Sequence, residues 1–202
     1  MTRGAAAQHE SRRDELADAA LRVVERQGVE ALTFRQVAAE AGVSLGRVQH
    51  YFASRTDLIR ATFDRVQRLT KDRVDAGLAD AGTADSGRSV VEAILRALIP
   101  ATPTQLAEHR VAQMFEALAM NDAGMLRELR AGHADLADFL AGQLSTARDH
   151  GEIDPAVDPA PAAVTLLACA EGLAGLVAIG HTPAPMAHDL LGAQLARLLG
   201  TR

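Results

Sequence analysis

The residues with the densest chemistry lie in one short stretch, SLGRVQHYF, Ser44 to Phe52. Arg47 can read guanine O6 and N7 with a bidentate fork, and Gln49 can pair with adenine. His50 and Tyr51 can donate to bases or phosphates. Wound as a helix, Leu45, Val48 and Phe52 share one side. His50 then falls almost opposite, Arg47 and Gly46 flank it, and Gln49 and Tyr51 sit on the borders. Gly46 costs about 1 kcal/mol of helix propensity relative to alanine. A helix whose backbone must approach a sugar-phosphate strand gains from the missing side chain.

The neighbouring segments supply what would position these groups. Thr33 can cap a helix in which Phe34, Val37, Ala38 and Ala41 form one face. Gly42 then offers a turn that tolerates positive φ, and Ser44 caps the next helix, which ends near Phe52. Two short helices around a glycine turn have the spacing of a helix-turn-helix, whose second helix enters the DNA major groove. A first helix is expected from Ser11 to Gln27, with Arg12 and Arg13 at its start. Thr33, Arg35 and Gln36 open the second helix, and Arg55 and Thr56 open a fourth that runs from Asp57 to Leu78. Three helix starts and one reading helix would make a phosphate clamp. A solvated hairpin of an ordinary helical protein is the alternative.

Charge is divided to match. Up to Arg68 there are eleven arginines against nine acidic residues, and beyond it ten basic against seventeen acidic, within a net charge of −5. An anionic partner would meet the basic head rather than the acidic body. Strand patterns are almost missing, and the body reads as helices punctuated by glycine and proline. A loop is expected over Gly77 to Gly87, followed by a helix from Arg88 to Ile99. Thr102-Pro103, Asp158-Pro159 and Thr182-Pro183 each suggest a cap followed by proline at the first helical position. Further helices are expected from Met125 to His150, from Pro159 to Ile179 and from Pro183 to Leu199. The Pro159 helix is apolar on nearly every side and is expected to be buried all round. The chain has no run long enough for a clear membrane span and no secretory leader pattern, and its single cysteine, Cys169, fits a reducing cytoplasm.

The run LTFRQVAAEAGVSLGRVQHYFASRTDLIRATF, Leu32 to Phe63, resembles the DNA-binding head of tetracycline-repressor (TetR) regulators. The likeness includes the AxxAGVSxGxxxxYF core, the ASRTDL hinge and the amphipathic helix before them, and covers about the first 65 residues. It implies an all-α protein of about nine helices. Residues 1–55 would be the DNA-binding domain and residues 56–202 a ligand-binding and dimerisation domain. It further implies a cytoplasmic homodimeric repressor that binds a palindromic operator in double-stranded DNA and is released by a small-molecule effector. Thr33, Arg35, Gln36, Ser44, Gly46, Arg47, Gln49, His50, Tyr51 and Arg55 occupy, or border, positions that touch DNA in that family. Gln49 stands where the family commonly has a tyrosine, and Arg55 where it commonly has lysine, so base preference does not carry over unchanged.

For the effector, the candidate pocket residues are Met114, Phe115, Leu118, Phe139, Leu167 and Glu171, with Met120 and Cys169 beside them. Glu171 stands alone in an apolar helix and would need a partner if buried. A dimer face is expected from Gly172, Gly175, Leu176, Leu191, Leu195 and Leu198, packed against their symmetry copies as a four-helix bundle. No cofactor, metal site or membrane partner is expected. The histidines lack ligand spacing, and no nucleophile elbow, phosphate loop or HExxH motif suggests an enzyme. A protein-interaction module, or an activator with the same head, remains an alternative.

Overall fold

The computed structural model describes residues 3–82 and 86–200 of the chain. The elements are α1 (Arg3–Gln27), a single 3-10 turn (Val29–Ala31), α2 (Phe34–Ala41), α3 (Leu45–Tyr51), α4 (Arg55–Ala81), α5 (Gly87–Leu98), α6 (Pro103–Ala119), α7 (Ala123–Asp149), α8 (Pro159–Ala178) and α9 (Ala184–Leu199). Among the described residues there is no strand. Packing divides the chain into two units. Unit 1 contains residues 1–69 and 102–125, and unit 2 contains residues 70–101 and 126–202. This division by packing cuts the chain differently from the division expected at residue 55, because α6 joins the N-terminal helices.

Unit 1 is organised on α1. Leu16, Ala20, Leu21, Val23 and Val24 are all buried, at spacings that place them on the side turned to the core. Around them lie Leu32, Val37, Val48, Phe52, Leu58 and Ile59 from the elements that follow, and Val111 and Phe115 from α6. Phe63 of α4 and Phe115 stack face to face, with ring centroids 4.2 Å apart and planes 7° from parallel. Polar ties cross the same ground: Arg65 donates to Asp18 at 2.8 Å, Arg68 pairs with Asp14, and Thr104 donates to Glu25 at 3.0 Å. Thr33 caps α2 and Ser44 caps α3 as the sequence predicts, and Gly42 takes the left-handed conformation at φ 65°.

Unit 2 has its own core. Val91 and Leu95 of α5 and Ile99 at its C-cap meet Leu140 and Leu144 of α7, Leu166 and Leu173 of α8, and Leu191 and Leu195 of α9. Asp158 caps α8, and in unit 1 Thr102 builds a full capping box with Gln105 at the start of α6. Gly87 is required by a close approach: a Cβ there would sit 2.3 Å from the Gln143 carbonyl oxygen.

Several expectations change. α1 starts at Arg3 rather than Ser11, so Arg12 and Arg13 lie within a helix and not at its start. α4 continues to Ala81 through the first part of the expected loop, whose residues 83–85 lie outside the described residues. Thr182 does not cap α9; it is buried, and its Oγ1 lies 3.0 Å from His181 Nδ1. Leu45 is 40 % exposed, since Val48 and Phe52 suffice to anchor α3. The larger correction concerns α8. It is long and apolar enough by length and composition to cross a membrane (mean hydropathy 1.7), and it was expected to be buried all round. One face packs in the core of unit 2, while Val164 and Ile179 are 58 % and 75 % exposed on another.

Gly87→Ala should destabilise unit 2 by about 1–3 kcal/mol, because backbone rather than a flexible side chain must yield. Gly142→Ala, where nothing lies within 4 Å of the added carbon, is its control and should not. Thermal denaturation followed by circular dichroism checks both.

Candidate nucleic-acid interface

A helix of seven residues is too short to hold itself, so α3 depends on its ends. At the start, the Ser44 hydroxyl oxygen accepts from Arg47 N–H at 3.2 Å. At the other end Phe52 is buried, and its N–H donates to the Val48 carbonyl at 3.0 Å. Val48 fixes the middle by complete burial. What remains outward is the sequence-predicted set: Gly46, Arg47, Gln49 and His50 are exposed and Tyr51 is half-buried. Among the described residues, the side chains of Arg47 and Gln49 make no hydrogen bond or ion pair. His50 and Tyr51 meet edge to face at 5.2 Å.

Gly46 has no explanation within the chain. An added Cβ would meet nothing within 4 Å, and the glycine is exposed on a helix that can least sustain the loss of propensity. The missing side chain leaves the α3 backbone open to the approach of another molecule.

The flanking groups sort into two kinds. Thr33, Arg35 and Gln36 are exposed at the start of α2, where the Thr33 oxygen accepts from Gln36 N–H. Arg35, like Arg47, has no partner among the described residues. Arg55 is engaged: its Nε donates to the Leu32 carbonyl at 3.0 Å and an Nη to Val29 at 3.4 Å, which ties the start of α4 to the segment before α2. Arg12 pairs with Glu15, and Arg22 and Arg26 share Glu40. A cleft of about 420 Å³ brings Arg12 and Arg22 of α1 alongside Arg47 and Tyr51 of α3. Arg22 is a contributor that motif reading did not single out.

The pocket candidates divide between the units. Met114, Phe115 and Leu118 belong to unit 1, where Phe115 is consumed by its stack on Phe63. In unit 2, Leu167 is buried in the core and Phe139 is half-exposed, while Glu171, which would have needed a partner if buried, is not buried. Glu171 is 47 % exposed, and its Oε1 lies 3.2 Å from His133 Nε2. A polar group missed in the sequence is His109 on α6. Its Nε2 is buried without a hydrogen-bond partner, and burial pushes its pKa below 6.5.

Two sequence patterns of known families cover most of the chain. The pattern described as bacterial regulatory proteins, tetR family, matches residues 16–62, and that described as BetI-type transcriptional repressor, C-terminal, matches residues 87–200. The chain belongs to the TetR family of transcriptional regulators. Its helix-turn-helix is a DNA-binding element, and proteins of this family act by binding rather than by catalysis. The transcriptional regulator PksA of Bacillus subtilis is 32% identical over 118 residues, 58% of this chain and 56% of PksA, so the chain spans just over half of that relative. BetI of Stenotrophomonas maltophilia is 29% identical over 69% of the chain and 70% of BetI. A transcriptional regulator from Saccharomonospora viridis, solved in complex with choline, has the same fold at a TM-score of 0.78, with 18% identity over 95% of this chain and 99% of that one.

Within the TetR-family head, Gly46→Ala is expected to raise the unfolding free energy by up to about 1 kcal/mol, because the new methyl group meets no atom within 4 Å. Chemical denaturation of both forms measures it.

Proposed function

We propose that this TetR-family regulator is a repressor that binds a palindromic operator as a homodimer and is released by a small molecule. The observation that carries the DNA-reading part is the outward face of α3. There a side-chain-free Gly46 stands beside Arg47 and Gln49, whose side chains make no hydrogen bond or ion pair among the described residues. Residues 1–55 are the DNA-binding part in this reading and residues 56–202 the effector and dimerisation part, working in the cytoplasm. Arg47 and Gln49 read base edges. Arg35, Thr33, Gln36, Ser44, His50 and Tyr51 serve the phosphate backbone. Arg55 serves first as a tie to Leu32 and Val29, with its remaining exposed edge turned to phosphate.

Dimerisation is supported by the uncovered faces of α8 and α9. Val164 and Leu176 on α8, Ile179 at its C-cap, and Met186 and Leu190 on α9 are exposed large apolar residues. Gly172 is exposed among them, and a Cβ at Gly172 or Gly175 would meet nothing within 4 Å. Leu191 and Leu195 are buried in the chain's own core, with Leu198 packed against it, so the α9 contribution shifts to Met186 and Leu190. Two heads of such a dimer would have to lie about 34–36 Å apart to enter successive major grooves. An effector that favours another spacing needs a coupling of only about 1–3 kcal/mol to release the operator.

The effector is a small molecule that meets little aromatic surface. With no tryptophan, and the single tyrosine on α3, the residues beyond 55 offer only Phe63, Phe115 and Phe139. The first two already stack on each other. The S. viridis regulator was solved with choline; a quaternary ammonium held here would need a carboxylate such as Glu171 in place of an aromatic cage.

Fluorescence anisotropy on DNA from upstream of the protein's own gene, with scrambled competitor and varied salt, tests the DNA reading. Arg47→Ala should lose about 1–3 kcal/mol of operator affinity and relax selectivity. Equal binding to scrambled DNA would defeat it. Light scattering at micromolar concentration should report a dimer. Gly172→Leu should shift it to monomer with helical content unchanged, and a wild-type monomer would defeat the dimer.

A further inference from the structure

Arg13 was read in the sequence as a phosphate ligand, and the structure turns it inward. Its guanidinium lies over the Phe52 ring, 5.0 Å from the centroid, within the range of a cation–π contact. One Nη donates to the Tyr51 carbonyl at 3.4 Å, and the other donates to Asp57 Oδ1 at 3.4 Å. Asp57 Oδ2 accepts from Ala53 N–H at 3.1 Å. One side chain of α1 thus bridges the last residue of α3, the ring that anchors it and the carboxylate that holds the turn into α4. One turn earlier, His9 lies against the Tyr51 ring at 4.8 Å.

We propose that Arg13 is a positioning residue for DNA reading: with Asp57 it fixes the C-terminal end of α3 and so the orientation of Arg47, Gln49 and Tyr51. The proposal rests on the reading of α3 as the DNA-reading helix. A carbonyl at a helix end lacks an intrahelical donor and favours a cation. Arg13 meets that need at Tyr51 with its charge partly balanced by Asp57. Both are about one-third exposed, at 34 % and 31 %, so the pair's worth lies less in stability than in geometry. A planar fork can bridge a carbonyl and a carboxylate while lying flat on a ring, which lysine cannot do.

The chain supplies its own probe. Tyr51 is the only tyrosine and there is no tryptophan, so intrinsic tyrosine emission reports this one point. In Arg13→Gln without DNA, acrylamide quenching of that emission should increase while circular dichroism stays that of the folded protein. On the duplex that wild type selects, affinity should fall about tenfold with the salt slope unchanged, while binding to scrambled DNA holds. Asp57→Asn should move quenching and affinity in the same direction, and it serves if Arg13→Gln does not fold. Arg13→Lys should recover only part of the affinity. A salt slope reduced by about one, with equal losses on both DNAs, would make Arg13 a phosphate contact and overturn the proposal. Unchanged quenching and affinity would overturn it as well. Failure of the wild type to prefer any duplex is read on a different sample; it would defeat the DNA-reading assignment, and the positioning role with it.

Discussion

A seven-residue helix contributes almost no stability of its own, since nucleation costs more than so few hydrogen bonds return. That constraint governs unit 1. α3 exists because Val48 and Phe52 are buried and because the Ser44 hydroxyl satisfies an N–H at its start. Those anchors need a surface, and α1 is that surface. Its apolar stripe closes the core, while Asp14 and Asp18 hold Arg68 and Arg65 of α4, and Glu40 of α2 is gripped by Arg22 and Arg26. Individually such partly exposed pairs contribute little. Together they fix the register of one long helix against two others, which the small apolar contact area of α2 and α3 would leave loose.

The same pairs decide where positive charge remains available. Unit 1 carries many arginines, but a paired guanidinium projects a weaker field than a free one. Arg12, Arg22, Arg26, Arg65 and Arg68 have carboxylate partners, and Arg55 is satisfied by carbonyls. Among the described residues the side chains of Arg35 and Arg47 make no hydrogen bond or ion pair, one on each helix of the hairpin. A count of charge along the chain locates the basic head. Only the pairing shows that two of its unpaired guanidinium groups lie on the two helix-turn-helix elements, where an anionic backbone would run.

Much of this was legible without coordinates because it is local. The caps at Thr33, Ser44, Thr102 and Asp158, the left-handed turn at Gly42 and the bounds of most helices depend on residues within one or two turns of each other. What escaped the sequence is what depends on residues far apart. Arg13 reaches Tyr51 and Asp57, Arg55 reaches Leu32, and Glu171 meets His133. Periodicity assigns an arginine to the surface or a carboxylate to an apolar helix, but it carries no information on which distant group will meet it. Leu45 fails for a related reason: an apolar residue at the right angle is buried only if the neighbouring element extends far enough to cover it.

Glycine separates what the chain needs for itself from what it keeps for others. At Gly87 the need is internal, because the Gln143 backbone occupies the space a side chain would take. At Gly46, Gly172 and Gly175 the space is empty, and each lies in a helix, where an alanine would be preferred by about 1 kcal/mol. A glycine there lets a second surface come close to the helix backbone, although Gly77, Gly132 and Gly142 are equally open and the neighbouring side chains must decide which openings are used. Gly46, Gly172 and Gly175 lie on the two faces whose apolar or polar groups are otherwise unmatched: the outward side of α3 and the exposed side of α8. The surfaces differ in chemistry as their neighbours do. Gly46 is bordered by arginine and, beyond it, by glutamine and histidine, which suits a sugar-phosphate strand and base edges. Gly172 and Gly175 lie among valine, leucine and isoleucine, which suits another apolar helix.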